Sequence, residues 1–123
     1  MLGLDCQPWN GRLSLSALTT TEVANDKLLA EPAEMAAWRY FDFARVLVAW
    51  QPTIPLSAEM QAAYDSKPRP NVADAFLSAG AAAITSEIVH EALAHYERDL
   101  KFRFTVAHPD DGREFVSKAR TGA

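Results

Sequence analysis

Proline placement limits what this chain can fold into. Its prolines stand at positions 8, 32, 52, 55, 68, 70 and 109. Each removes a backbone donor and disfavours helix in the residue before it, so a long helix must lie between them. The longest proline-free interval follows Pro70, and it begins with Asn71 to Leu100, NVADAFLSAGAAAITSEIVHEALAHYERDL. Val72, Ala75, Phe76, Ala79 and Ala83 share one helical face, and Ile88, Val89, Ala92, Leu93, Tyr96 and Leu100 share another. On one straight helix the two faces would differ by roughly 120°. The spacing therefore predicts two helices or one kinked helix, with the break at Gly80 or at Thr85-Ser86. Asn71, with Asp74 three residues on, predicts a cap for the first helix. Ser86, followed by Glu87, predicts one for the second.

The interval between Pro32 and Pro52 gives AEMAAWRYFDFARVLVAW. A helical wheel puts Ala36, Ala37, Tyr40, Phe41, Phe43, Ala44, Leu47 and Val48 on one broad face, with Glu34, Asp42 and Arg45 opposite. This predicts a largely buried helix ended by Pro52 and Pro55, with Asp42 and Arg45 paired on its wet strip. Trp38 falls on the wet side, where it is left for a partner or for coverage by the N-terminal hairpin. Thr19 to Thr21 predict a cap for a short helix over Glu22 to Ala30, and Ser57 predicts one for AEMQAAYDSK. Pro68-Arg69-Pro70 is a stiff connector, too short to separate domains, so residues 1–123 read as a single globular domain.

Strand signals lie at the two ends. Leu2, Leu4 and Cys6 alternate with Gly3 and Asp5, and Leu13, Leu15 and Ala17 alternate with Ser14 and Ser16. Asn10-Gly11 between them predicts a hairpin turn. Phe102, Phe104 and Val106 predict a strand over residues 101–107. Pro109-Asp110-Asp111-Gly112 then predicts a turn. REFVSKAR after it reads as a short final helix capped by Asp111 and Glu114, in preference to a returning strand. A strand at 101–107 needs a partner for its backbone groups, and the N-terminal hairpin is the candidate. The expected fold is α+β, mostly α, with four to five helices packed on a small antiparallel sheet made by the hairpin and this strand.

Composition bounds the function. Hydrophobic residues at 49% and charged residues at 23% are ordinary for a globular chain and argue against wholesale disorder. A net charge of −4 and a pI near 5.3 give no electrostatic footprint for nucleic acid or an anionic membrane. Cys6 is the single cysteine, so no intrachain disulfide is available. The N-terminus shows no secretory signal. Apolar runs such as Val46 to Trp50 fall far short of the ~20 residues a membrane span needs. A soluble, cytoplasmic protein with neither a nucleic acid nor a membrane partner is the expectation.

One segment resembles a catalytic motif, His90-Glu91-Ala92-Leu93-Ala94-His95. A zinc-protease helix separates its two histidines by four residues, which brings both imidazoles to one face. Five residues turn them about 140° apart. A metal-dependent hydrolase using His90, Glu91 and His95 is therefore a weak alternative, with the third ligand unassigned among His108, Asp110, Asp111 and Glu114. A winged helix-turn-helix regulator fits the element order, but residues 81–100 carry Glu87, Glu91, Glu97 and Asp99 against Arg98, the wrong sign for phosphate. There is no Gly-x-Ser-x-Gly elbow and no phosphate-cradling glycine loop. No catalytic residue, metal or cofactor is assigned. The expectation is a non-catalytic protein–protein interaction protein, an adaptor, inhibitor or assembly factor of the small kind that phages and plasmids encode. Its partner is a protein of unknown identity, with self-association into a homodimer as a further expectation. Trp9 and Trp38 would be aromatic anchors, and Ala79 and Ala83 a close-approach helix surface.

Overall fold

The computed structural model describes residues 1–67, 69–98 and 102–116. Strand β1 (Leu2–Gln7) pairs antiparallel with β2 (Arg12–Ala17), in register from Leu2 opposite Ala17 to Gln7 opposite Arg12. The expected hairpin is present. Its connection is a 3-10 turn over Pro8–Asn10, closed by Gly11 at φ 60°, a left-handed conformation that glycine adopts without strain. Strand β3 (Phe104–Thr105) lies on the other side of β1, giving the order β2-β1-β3. It runs parallel to β1, with Leu2 opposite Phe104 and Gly3 opposite Thr105, so the sheet is mixed and not wholly antiparallel. The chain reaches β3 only after a long helical crossover, the kind of connection that parallel neighbours require. The α+β, mostly helical class stands.

Alternation sends Leu2, Leu4 and Cys6, with Leu13, Leu15 and Ala17, to one face of the sheet. That face meets α3 (Pro70–Ile84), whose buried residues are Ala73, Leu77, Ala81 and Ile84. The helix is thus rotated from the expected face, and Ala75, Ala79 and Ala83 are exposed. The strand side chains select the stripe that carries Leu77, which is fully buried. Gly80 lets α3 approach β1 closely: a Cβ there would stand 2.9 Å from Leu4 Cδ2. The break falls at Thr85-Ser86, one of the two expected places. There α3 gives way to α4 (Glu87–Leu93) with a bend of 47°. Thr85 Oγ1 donates to the Ala81 carbonyl at 2.7 Å. Ser86 occupies the cap of α4, but its hydroxyl makes no capping bond. At the other end Arg69, in extended conformation, replaces Asn71 as the cap of α3, and Pro70 opens the first turn. Asp74 instead accepts both terminal nitrogens of Arg113, at 2.9 and 3.0 Å.

The long helix expected after Pro32 does not form. In its place stand 3-10 turns over Pro32–Ala37, Phe43–Val46 and Val48–Trp50. Trp38 and Leu47 between them are extended, and Asp42 is left-handed at φ 51°. Aromatic and β-branched residues are indifferent helix formers, and tertiary bonds here outweigh them. Tyr40 extends the edge of β2 through a bridge to Ala17, and the Asp42 amide donates to Ser16 Oγ at 2.8 Å. Trp38 turns inward. It is 3% exposed, and Nε1 donates to the Leu29 carbonyl at 2.7 Å. With Leu18 and Met35 it forms a second core, bordered by Met1, Val23, Leu29, Ala30 and Phe41.

α1 (Thr20–Asn25) carries the expected cap in full: Thr19 and Glu22 form a reciprocal capping box. It ends sooner than expected, and a 3-10 turn over Lys27–Ala30 follows, capped by Asp26. α2 (Thr53–Ser66) starts before the expected Ser57. Pro52 caps it and Pro55 sits in its first turn, where a missing N–H costs nothing. Ser57 Oγ bonds back to the Thr53 carbonyl. Met60 is the buried residue of α2, against Cys6. Beyond β3 the predicted turn is present, with Gly112 at φ 74°. Glu114 then bridges back to Ala107, as a returning strand would. The final helix expected over residues 113–120 lies mostly outside the described residues.

Candidate functional site

The residues singled out from the sequence lie in separate places. Trp9, at the hairpin turn, is half-buried between Tyr64 and His108, with ring centroids at 6.1 and 5.5 Å. Trp38 is sealed in the second core and offers no surface to a partner, which corrects its assignment as an exposed anchor. Ala79 and Ala83 do lie exposed, on the outer side of α3. The histidine pair does not share a helix: α4 ends at Leu93, before His95. The His90 ring packs edge-on against Phe104 at 5.3 Å. Among the described residues no group of three or more His, Cys, Asp or Glu side chains could hold a metal ion. Cys6 is buried, and that burial, with Asp5 adding to it, pushes its thiol up to about 12, which makes it a poor nucleophile.

A different surface stands out. Val46 is 79% exposed, Val48 78% and Ile54 67%, and Leu47 and Leu56 are about half exposed beside them. The helical wheel hid this strip by assigning Leu47 and Val48 to a buried face. The signal in the sequence was the uninterrupted run from Val46 to Trp50, which has no polar residue to mark a wet side.

Behind the strip lies a groove against the outer edge of β2. Met1 and Leu18 exchange both backbone bonds, so alternation makes Gly3–Ser16, Asp5–Ser14 and Gln7–Arg12 the hydrogen-bonded pairs, and Leu13, Leu15 and Ala17 direct their backbone groups outward. Ala17 N–H is met by the Tyr40 carbonyl at 3.3 Å. Past Asp42 the turn over Phe43–Val46 still packs against β2, with Ala44 buried, but makes no backbone bond to it. Among the described residues, nothing then pairs with the backbone amides of Leu13 and Leu15. Beside the start of β2 lies a cavity of about 620 Å³ whose lining includes Arg12, Ser14, Arg45, Trp50, Thr53 and Ile54. Ser14 is 2% exposed, and its hydroxyl has no partner among the described residues.

The groove is more positive than the chain as a whole. Arg12 and Arg45 line it against Asp42, while the whole chain carries −4. Arg12 is partly spent on Asp5, with Nε 3.0 Å from the carboxylate. Arg45 is exposed and has no ionic partner among the described residues. The first turn of α2 opens beside it, with no side-chain cap and no acidic residue. That leaves the positive end of the helix dipole unopposed.

No protein-family model matches the chain, and comparison with curated proteins and with solved structures finds no match. Among the described residues no single helix is long and apolar enough to cross a membrane.

Proposed function

We propose that this chain is a non-catalytic protein–protein interaction protein, an adaptor, inhibitor or assembly factor, working in the cytoplasm. The observation that carries this reading is the exposed apolar strip over residues 46–56. Exposed apolar patches on soluble proteins commonly mark interaction sites. Val46 and Val48 are each nearly four-fifths exposed. A partner that covered both would gain roughly 2–5 kcal/mol from their burial, before the costs of association. That is the size of an interface hot spot. A second copy of the chain could supply this cover, as could an unlike protein.

The test uses the full chain and the double variant Val46→Asp/Val48→Asp, compared by light scattering over a concentration series and by affinity capture from the native host. The wild type self-associates or captures a specific protein, and the variant does neither. Identical behaviour of the two, or a wild type that is monomeric and captures nothing specific, contradicts the reading.

A further inference from the structure

We infer that the cavity beside the start of β2 binds a small hydroxylated monocarboxylate, of the sugar-acid class, with Arg45 and Arg12 on its carboxylate. This goes beyond the interaction reading above and does not depend on it.

Charge sets the head of the ligand. The lining holds two guanidiniums, Arg12 and Arg45, and one carboxylate, Asp42, so it carries one net positive charge in a chain of −4. Asp5 holds Arg12 by Nε at 3.0 Å, which leaves the outer edge of that guanidinium to a ligand. Arg45 is exposed and has no ionic partner among the described residues. A guanidinium meets a carboxylate through paired, charge-assisted hydrogen bonds. The Thr53 amide, also in the lining, has no acceptor among the described residues, and the first turn of α2 holds no acidic residue to compete for it. One carboxylate balances this set. A phosphate dianion exceeds the net charge and is repelled by Asp42.

The rest of the lining sets the body. Trp50 and Ile54 offer an apolar wall, with Ile54 exposed and Trp50 half-buried. Beside them the Thr53 and Ser57 hydroxyls donate to backbone carbonyls at 2.6 and 2.7 Å and keep their acceptor lone pairs. Gln51 is exposed in the same lining. Ser14 belongs to it too, and its buried hydroxyl has no partner among the described residues. A wholly apolar acid would leave these polar groups unpaired, and a bare inorganic anion would leave Trp50 and Ile54 in water. A sugar acid carries hydroxyls on its edge and C–H groups on its face, so it meets both. About 620 Å³ is the size of a small-molecule site, with a few polar groups placed to fix orientation.

The probe is sodium glucuronate, titrated into the full chain at constant ionic strength and followed by NMR. Shifts should saturate with Kd of about 1 mM or tighter and gather at the Trp50 indole N–H and the Thr53 amide. Glucose lacks the carboxylate and acetate lacks the body, so each should bind at least about tenfold more weakly. Inorganic phosphate should do no better than acetate. Arg45→Gln should weaken glucuronate by about tenfold, and Arg45→Lys should recover part of the loss. Arg69→Gln, an exposed arginine outside the lining, should change nothing. Arg45 is exposed and unpaired, so folding does not need it, and the spectra report the fold of each variant directly. No saturation, glucose or acetate equal to glucuronate, shifts away from the lining, or equal effects of Arg45→Gln and Arg69→Gln each overturn the proposal.

Discussion

Placing an aspartate at position 48 separates the observed fold from the buried helix that the helical wheel predicts. In the structure Val48 is 78% exposed, so only about a fifth of its apolar surface is withdrawn from water. Full burial of a valine stabilises by about 1.5–3 kcal/mol, so the share at stake is about 0.3–0.7 kcal/mol. Val48→Asp should therefore lower unfolding stability by less than about 1 kcal/mol. The same change on a buried helical face would strand an uncompensated charge and cost about 4 kcal/mol or more. Urea denaturation followed by tryptophan fluorescence reads the difference directly, provided the slope of the transition is unchanged. A loss above about 2 kcal/mol would refute the exposed position of residues 46–48, and with it the interaction surface.

Trp38 should respond in the opposite sense. Trp38→Phe removes the bond to the Leu29 carbonyl and part of a buried ring. It should cost about 1–3 kcal/mol, measured the same way, whereas a solvent-facing Trp38 would change stability by about half a kcal/mol at most. Glu22 gives a pH-dependent signature. Burial pulls its carboxyl upward, but the Thr19 and Arg39 amides that bond to it prevail and hold it below the ordinary carboxylate range. Its contribution to stability is then present above the unfolded-state value and lost as pH falls through the folded-state value. Glu22→Gln should be less stable than the wild type at neutral pH, and the gap should close in acid. A gap independent of pH would show that the charge is not involved.

Legibility in the sequence followed how local the deciding interactions are. The hairpin, the Thr19–Glu22 capping box and the break at Thr85-Ser86 rest on residues a few positions apart, and each was visible. The pairing of the chain's two ends followed from the need of a strand near residue 104 for a neighbour. The direction of that pairing did not, because it depends on the end of β1 at which the helical crossover arrives. Residues 33–50 failed because long-range partners decide their backbone. Leu29 holds Trp38, Ala17 holds Tyr40 and Ser16 holds Asp42. A wheel drawn on an assumed helix sees none of these. The groove was invisible for the same reason: its walls come from Arg12, Ser14, Asp42, Arg45 and the start of α2, which lie far apart in the sequence. The exposed surface of α3 at Ala79 and Ala83 was named for the right residues, yet the face was taken from hydrophobicity alone, and Leu77 and Ala81 took the sheet side.

The central claim is that residues 40–46 pack on β2 as turns and not as a further strand, so Leu13 and Leu15 have no backbone partner among the described residues. Amide hydrogen exchange, resolved residue by residue by NMR on the unliganded chain, tests it most directly. Arg12, Ser14 and Ser16 bond to β1 and Ala17 bonds to Tyr40, so these four amides should be protected. Leu13 and Leu15 should exchange faster than all of them, by about tenfold or more, although they sit in the same strand. Uniform slow exchange from residue 12 to residue 17 would mean that a further strand pairs with this edge, and would contradict the account.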